Sequence, residues 1–372
     1  GLDNKAKALK AQGIPVINLS AGEPDFDTPK HIKQEAIDSL LSGETKYSAP
    51  QGLPEIRKAI ADKLHKENNI EYDPSQIVVG IGGKQILYSI FQVLCDQGDE
   101  VIIPVPTWLT FVEQVKLAGG KPVLVKLTQP FKVTAQAIEK ALTKKTKIVL
   151  LNSPSNPTGA MVDEKELQKI ADLVVKHNLW VVADEIYEKL TYLSPHRSIA
   201  SLNEKIKART ITTNGFAKSY AMTGWRLGYA AGPKEIIEKM TNFQVQTISN
   251  VPVFIQRAGV AGLTGDQSSV ATMHKEFTKR REFLIKAFGE ITELSFTNPE
   301  GAFYFFISIE KLLGKKYKTA TEWCDALLEK EHVAVVPGDG FLYPGYFRLS
   351  FASSLGDLKK AVEKIKKFIY DA

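Results

Sequence analysis

Residues 147–185 read KIVLLNSPSNPTGAMVDEKELQKIADLVVKHNLWVVADE. Two apolar runs, KIVLLN and WVVADE, flank the amphipathic stretch ELQKIADLVVKHN. Strands that read as continuous apolar runs are buried on both faces, and helical crossovers make such strands parallel. The alternation extends in both directions. QIVVG, EVIIP, KPVLVKL and RTITTN read as further strands, with ILYSIFQVLCDQG, FVEQVKLAGG and AQAIEKAL as helices between them. The prediction is an α/β fold, a three-layer, mostly parallel sheet over residues 36–260. The C-terminal third changes character. A long charged helix, SSVATMHKEFTKRREFLIKAFGEI, leads to AFYFFISI, TATEWCDALLEKE, VAVVPG, YFRLSFA and a last helix. That pattern predicts a smaller α+β domain built from residues 261–372 together with 1–35.

Composition excludes several classes. The chain has 372 residues, 44% hydrophobic and 24% charged, as expected of a globular enzyme with more than one core. Its net charge is +6, but basic residues alternate with acids along helical stretches, so they read as solvated faces and not as a nucleic-acid surface. Cys95 and Cys324 lie in apolar, helix-like runs, which points to a reduced compartment and no disulfide framework. No apolar run approaches the length of about 18 residues that a membrane span needs. There is no signal segment, and a cytoplasmic location is expected. The chain opens on Gly1 without an initiator Met, and the expectation is that part of its natural N-terminus is missing.

In open parallel sheets, ligands bind beyond the carboxyl ends of the strands. Four predicted strands end in polar clusters: QIVVG in GIGGKQ, KIVLLN in SPSNPTG, WVVA in DEIYEK, and TITTN in GFAKS. Gly82 and Gly83 precede a helix, where free amides favour an anion such as phosphate, although an ordinary strand-to-helix turn reads the same way. Neither a P-loop nor a GxGxxG fingerprint occurs, which disfavours nucleotides. Asp184 ends a buried run, so it must be paired, coordinated or neutralised; a helix cap or a structural ion pair is the bland alternative. Tyr187 shares its face if a helical turn follows. There is no HExxH pattern or Cys/His cluster at ligand spacing, so no metal is expected.

Lys218 sits in TTNGFAKSYAMTGWRLGY with no acid beside it, and the next cation is Arg226. A lysine removed from water gives up its proton and becomes a nucleophile that forms Schiff bases with carbonyls; the alternative is a surface lysine beside a bend. Together these residues ask for a ligand with a phosphate, a basic ring nitrogen, an aldehyde and a flat ring. Pyridoxal 5′-phosphate has all four.

The sequence also resembles the class I pyridoxal-phosphate-dependent aminotransferases, specifically the bacterial aspartate aminotransferase subgroup. The motifs run nearly end to end: AGEPDFDTP (21–29), GETKYSAPQGLPEIR (43–57), GGKQ (82–85), NSPSNPTGA (152–160), DEIYE (184–188), AKSYAMTGWRLGY (217–229), GAFYFF (301–306) and YFRLSFA (346–352). The resemblance implies that Lys218 is the Schiff-base lysine and that Asp184 partners the ring nitrogen. It implies that Asn156 and Tyr187 bond the phenolic oxygen, Trp108 stacks on the ring, and Arg226 binds the phosphate with Gly82 and Gly83. Tyr47 would reach the phosphate of a neighbouring subunit, implying a homodimer with shared sites. Arg348 would fork onto the substrate α-carboxylate, helped by Gly22.

The lysine of the GGK motif, Lys84, resembles the one that pairs with the distal carboxylate of acidic substrates. That implies aspartate with 2-oxoglutarate, with prephenate or aromatic amino acids as alternatives. A lyase on the same scaffold and a non-catalytic sensor are further readings. Two positions depart from the family: Gly215 and Ala217 stand where many relatives carry Ser or Thr whose hydroxyl holds the phosphate, which puts more of that task on backbone amides, Arg226 and Tyr47. The resemblance also implies a leading segment that closes over the site, and the expectation is that the chain begins after most of it.

Overall fold

Ile148 and Leu150 face one side of the central sheet, Val149 and Leu151 the other, and all four are buried. A period-two alternation with both sides apolar requires cover on both faces. The computed structural model describes residues 2–314 and 316–371 and supplies that cover. On one face the helix Gly83–Leu94 lays Ile86, Ile90 and Phe91 against Val101, Ile148 and Val182. On the other, the helix Glu164–Lys176 packs Leu167, Ile170 and Val174 on Val149, Leu151 and Val181. Each such fully buried side chain contributes about 2–3 kcal/mol by leaving water.

The strands, in chain order, are β1 (Ile17–Asn18), β2 (Ile77–Gly80), β3 (Glu100–Val105), β4 (Lys121–Lys126), β5 (Thr146–Asn152), β6 (Trp180–Asp184) and β7 (Thr210–Gly215). They continue as β8 (Gly228–Ala231), β9 (Ser295–Phe296), β10 (Tyr304–Ser308), β11 (Val333–Ala334), β12 (Val336–Pro337) and β13 (Tyr346–Ser350). The large sheet has the order β2-β8-β7-β6-β5-β3-β4. Neighbours from β7 through to β4 pair in parallel, and β8 runs antiparallel to both β7 and β2. All six predicted strands are present.

Two details differ from the sequence reading. β8, GYAA, is a further strand whose small residues give no apolar run, yet it is fully buried between β2 and β7. β4 is one edge of the sheet, and KPVLVK mixes exposed and half-buried positions instead of being covered on both faces.

Four of the remaining strands form an antiparallel sheet of order β12-β13-β10-β9. The helices Ser268–Gly289, Ala320–Glu331 and Leu355–Tyr370 close on it around Phe277, Phe303, Phe305, Trp323, Phe347 and Phe351. The N-terminal stretch joins this part of the molecule, with β1 pairing in parallel with β11 through Ile17–Val333 and Asn18–Ala334. Among the described residues, no helix is long and apolar enough to cross a membrane.

Candidate active site

The carboxyl ends of β2, β5, β6 and β7 open into one cleft of about 720 Å³, closed on its far side by residues 18–23, Tyr304 and Arg348. Gly82 is left-handed at φ 89°, where only glycine is unstrained. A Cβ there would meet the Arg226 guanidinium at 2.5 Å, and one at Gly228 would lie 2.6 Å from the Gly83 amide nitrogen. The absence of side chains at 82 and 228 therefore lets the first turn of the helix Gly83–Leu94 sit directly beneath Arg226. Helix geometry gives the Gly83 and Lys84 amides no carbonyl of their own, so this corner is built for an anion. Arg226, itself left-handed, is exposed and anchored by one hydrogen bond from Nη1 to the Thr223 carbonyl at 2.8 Å.

Asn152, Asp184 and Thr213 stand side by side across β5, β6 and β7. Asp184 is 6% exposed. Burial pushes its carboxyl up to about 7; the Ile186 amide, donating to Oδ1 at 3.2 Å, resists this, Glu185 adds to it and Lys218 opposes it. No salt bridge joins Asp184 to a cation among the described residues. Three residues on, Tyr187 exchanges a 2.8 Å hydrogen bond with the hydroxyl of Tyr304.

Lys218 donates from Nζ to the Gly22 carbonyl, with the rings of Tyr187 and Phe303 each 5.8 Å from that nitrogen. Burial, with the Arg348 charge adding to it, draws the amine down from 10.5 to about 8, and Glu23 and Asp184 only partly compensate. Near neutral pH the site thus holds an acid and an amine that are each partly uncharged. That is the perturbation expected of reactive groups in a cleft.

Arg348 is 6% exposed, and among the described residues no salt bridge joins it to a carboxylate. Nη2 donates to the Ser20 carbonyl at 2.7 Å and Nη1 to Asn156 Oδ1 at 2.9 Å, while Nε is buried without a partner. Its guanidinium lies 4.3 Å over the Tyr304 ring and 5.0 Å from that of Phe341. A buried guanidinium held only by neutral groups calls for an anion from outside. Asn156 is fixed by its own amide, which donates to Asn152 Oδ1 at 2.9 Å. Trp108 stands edge-on to Phe111, and Lys84 Nζ lies 4.9 Å over its indole at the mouth of the cleft.

The structure brings together Gly22, Gly82, Gly83, Lys84, Trp108, Asn156, Asp184, Tyr187, Lys218, Arg226 and Arg348. Tyr47 stands outside the cleft, 90% exposed. The chain also fills in what its motifs leave open. Tyr304 supports both Tyr187 and Arg348, but within YFFIS it reads only as a buried strand residue. Asn214 lines the cleft with a buried, unpartnered Nδ2; TITTN signals a polar strand end without saying which residue turns inward. Gly215 has a steric cause, since a Cβ there would lie 2.9 Å from the Leu227 carbonyl oxygen and 3.1 Å from the Gly228 Cα. The β7–β8 pairing leaves no room for a hydroxyl at that position.

These residues fit pyridoxal phosphate. The glycine corner and Arg226 suit its phosphate, the buried Asp184 carboxyl its ring nitrogen, the depressed Lys218 amine its aldehyde, and the unpartnered Asn214 amide a ring substituent or the phosphate.

Residues 14–365 match the family model described as "Aminotransferase class I and II". An aspartate aminotransferase of Bacillus sp. (strain YM-2) is 46% identical over 98% of this chain and 94% of its own. A probable aspartate/prephenate aminotransferase of Aquifex aeolicus is 42% identical over 98% and 93%. The crystal structure of the aspartate aminotransferase from Rhizobium meliloti superposes with a TM-score of 0.95 at 42% identity, covering 99% of this chain and 95% of that one.

Proposed function

The chain belongs to the class I and II aminotransferases, and from that membership we propose that it moves the amino group of an acidic L-amino acid, aspartate foremost, to 2-oxoglutarate, with pyridoxal 5′-phosphate as the carrier. The observation that carries the substrate class is a pair of cations lining one cleft: Arg348, buried and, among the described residues, in no ion pair with an acid, and Lys84, exposed and lying over Trp108. A dicarboxylate satisfies both. A charge facing a second carboxylate discriminates more sharply than an apolar pocket, because a missing partner leaves a charge unpaired.

When bound, pyridoxal phosphate supplies an aldehyde that condenses with amines and a protonated ring that draws electrons from a breaking Cα–H bond. The amides of Gly83 and Lys84, with Arg226, would hold its phosphate. Asp184 would give up its proton beside the ring nitrogen and keep that nitrogen charged. Asn156 and Tyr187 would hydrogen-bond its phenolic oxygen, and Trp108 would cover a ring face. Lys218 holds its amine partly neutral, so Nζ would be available as a nucleophile towards an aldehyde and as the base that moves a proton at the substrate Cα. Arg348 orients the substrate by a bidentate grip on the α-carboxylate, with the Gly22 backbone beside it. The two half-reactions use one cleft in turn, so the kinetics are ping-pong.

We further propose a cytoplasmic homodimer in which Tyr47, exposed in the single chain, completes the neighbouring site. The buried free thiols Cys95 and Cys324 accord with a reducing compartment. Prephenate is the second reading, because Lys84 would serve any side chain ending in a carboxylate and a relative's name includes it.

A panel of amino donors with 2-oxoglutarate tests the reading. Oxaloacetate from aspartate, lost far more than alanine turnover in Lys84→Ser, is expected. Equal loss for both donors would reject the distal-carboxylate role, and ammonia in place of oxaloacetate would point to a lyase.

A further inference from the structure

The turn that carries Asp184 and Tyr187 has a second face. Beyond β6 the Glu188 amide donates to the Glu185 carbonyl at 2.9 Å, and the Leu190 amide to the Tyr187 carbonyl at 2.8 Å. Such a three-residue winding eclipses positions i and i+3. Asp184 and Tyr187 share the side that lines the cleft, and Glu185 and Glu188 share the side behind it.

Behind the turn, those two acids meet Lys63 from the helix Pro54–Asn68 and His196 from the loop after the turn. Lys63 Nζ donates to Glu188 Oε1 and, at 2.7 Å, to Asn68 Oδ1; Asn68 Nδ2 donates to Glu188 Oε2 at 2.7 Å. His196 Nε2 stands 3.2 Å from Glu185 Oε2, near enough for an ion pair though not aligned as a hydrogen bond. The side-chain exposures of Lys63, Glu188, His196 and Glu185 are 5%, 7%, 6% and 4%. Four ionisable groups are therefore held out of water together.

Burial works against the charges on His196 and Glu188, yet opposite neighbours prevail. Burial opposes the charge on His196, but Glu185 and Glu188 outweigh it and raise the imidazole above its usual value. Burial likewise opposes Glu188, and Lys63 and His196 hold it below the usual carboxylate range. Two positive groups thus face two negative ones. Glu67, 3.7 Å from Lys63 Nζ, is engaged by Lys189 at 2.9 Å, and the buried Tyr72 hydroxyl has no partner. Glu185, Glu188 and His196 could gather around a metal, with ligand atoms within 4.8 Å of one another, but the Lys63 ammonium already occupies the Glu188 side. An apolar quartet would stabilise the fold at least as well. What the charges add is directional: hydrogen bonds fix the rotation of a turn, and apolar packing does so less strictly.

We propose that Lys63, Glu185, Glu188 and His196 are positioning residues, a charge-balanced clamp that grips the Asp184–Tyr187 turn from behind and sets how the Asp184 carboxyl and Tyr187 hydroxyl meet the cofactor. The proposal rests on the cofactor roles given above to Asp184 and Tyr187.

The test uses the full chain with pyridoxal phosphate as probe and three variants: His196→Gln, Glu188→Gln and the apolar pair Lys63→Met/Glu188→Leu. Three quantities are read: the thermal midpoint of the cofactor-free protein, the affinity for pyridoxal phosphate from tryptophan quenching, and the pH midpoint of the bound chromophore's absorbance. The clamp predicts an affinity loss of about 10-fold in each variant, the size usual for groups that orient a primary ligand contact. In His196→Gln the unbalanced Glu185 charge also raises the absorbance midpoint by about half a pH unit or more. The apolar pair regains thermal stability while its affinity stays low. Affinity within about twofold of wild type and an unmoved midpoint, with only the thermal midpoint lowered, would overturn the clamp and leave a structural network. Should the single variants fail to fold, the apolar pair decides on its affinity. A wild-type chain that bound no pyridoxal phosphate would instead overturn the cofactor assignment itself.

Discussion

Arg348 and Asn156 are joined by a 2.9 Å hydrogen bond from Nη1 to Oδ1, so the buried guanidinium on β13 is tied to the loop that follows β5. The contact spans 192 positions of sequence and links the two sheets across the cleft. A guanidinium can hold Asn156 and the Ser20 carbonyl and still offer Nε and its fork to a carboxylate. An ammonium cannot do all of this. Arg348→Lys is expected to lose about 3 kcal/mol of transition-state binding, roughly two orders of magnitude in kcat/KM for every amino donor. Steady-state kinetics with aspartate and alanine check this, and a loss confined to aspartate would contradict the α-carboxylate role.

Lys218 should cost the cofactor-free protein stability. Its amine titrates near 8 in the folded chain and at 10.5 when unfolded. Above 10.5 both states are neutral there and no penalty exists. As pH falls through 8 the folded state must charge a buried amine, and the penalty reaches about 3 kcal/mol. Lys218→Met is therefore expected to be more stable than wild type at pH 7 in urea melts without cofactor, with no gain at pH 11. The same variant should lose nearly all turnover.

The left-handed Gly82 and its neighbour Gly228 make a prediction about the glycine corner. Gly228→Ala would drive a methyl to 2.6 Å from the Gly83 nitrogen and 2.8 Å from the Gly82 carbonyl carbon, both backbone atoms with nowhere to move cheaply. The expected cost is about 1–3 kcal/mol of stability. Affinity for pyridoxal phosphate should fall as well, because the helix start that faces the anion is displaced. Fluorescence titration of the cofactor against Gly356→Ala, whose Cβ meets nothing closer than 3.8 Å, separates the local effect from a general one.

Tyr304→Phe removes the partner of the Tyr187 hydroxyl and leaves the ring beneath Arg348 in place. A buried hydroxyl without a partner costs about 1–3 kcal/mol. The variant is expected to be less stable by that amount and to turn over several-fold more slowly, with KM for aspartate little changed. A large rise in KM with normal kcat would move Tyr304 from the support of Tyr187 to the support of Arg348.

His196 predicts a pH-dependent contribution to the stability of the cofactor-free chain. Its folded value is raised above the ordinary 6.5, so its contribution is fully present below about 6.5 and is lost as pH rises through the raised value. The stability difference between wild type and His196→Gln should shrink on that alkaline side, and a difference that grew with pH would show the imidazole to be buried neutral.

Much of this was legible because periodicity is local. Runs such as KIVLLN and WVVAD carry their own instruction to be buried on both faces, and the polar residues that end them mark one rim of a sheet. Lys218 was conspicuous because no acid stands near it in the chain, and among the described residues no salt bridge joins it to one, although Glu23 and Asp184 act on it. β8 was not legible, because GYAA owes its place to pairing with Gly215 and Gly228 contacts that no local pattern announces.

The sequence by itself determined the strand–helix alternation, the layered class and the rim on which the chemistry collects, since each depends on neighbours within a few positions. Tertiary structure alone decided that the Asp184 carboxyl is pushed up to about 7, that Lys218 is only weakly basic, and that Lys63 meets Glu188 across 125 positions. Burial and charge balance are sums over atoms gathered from the whole chain, and no stretch of residues carries those sums alone.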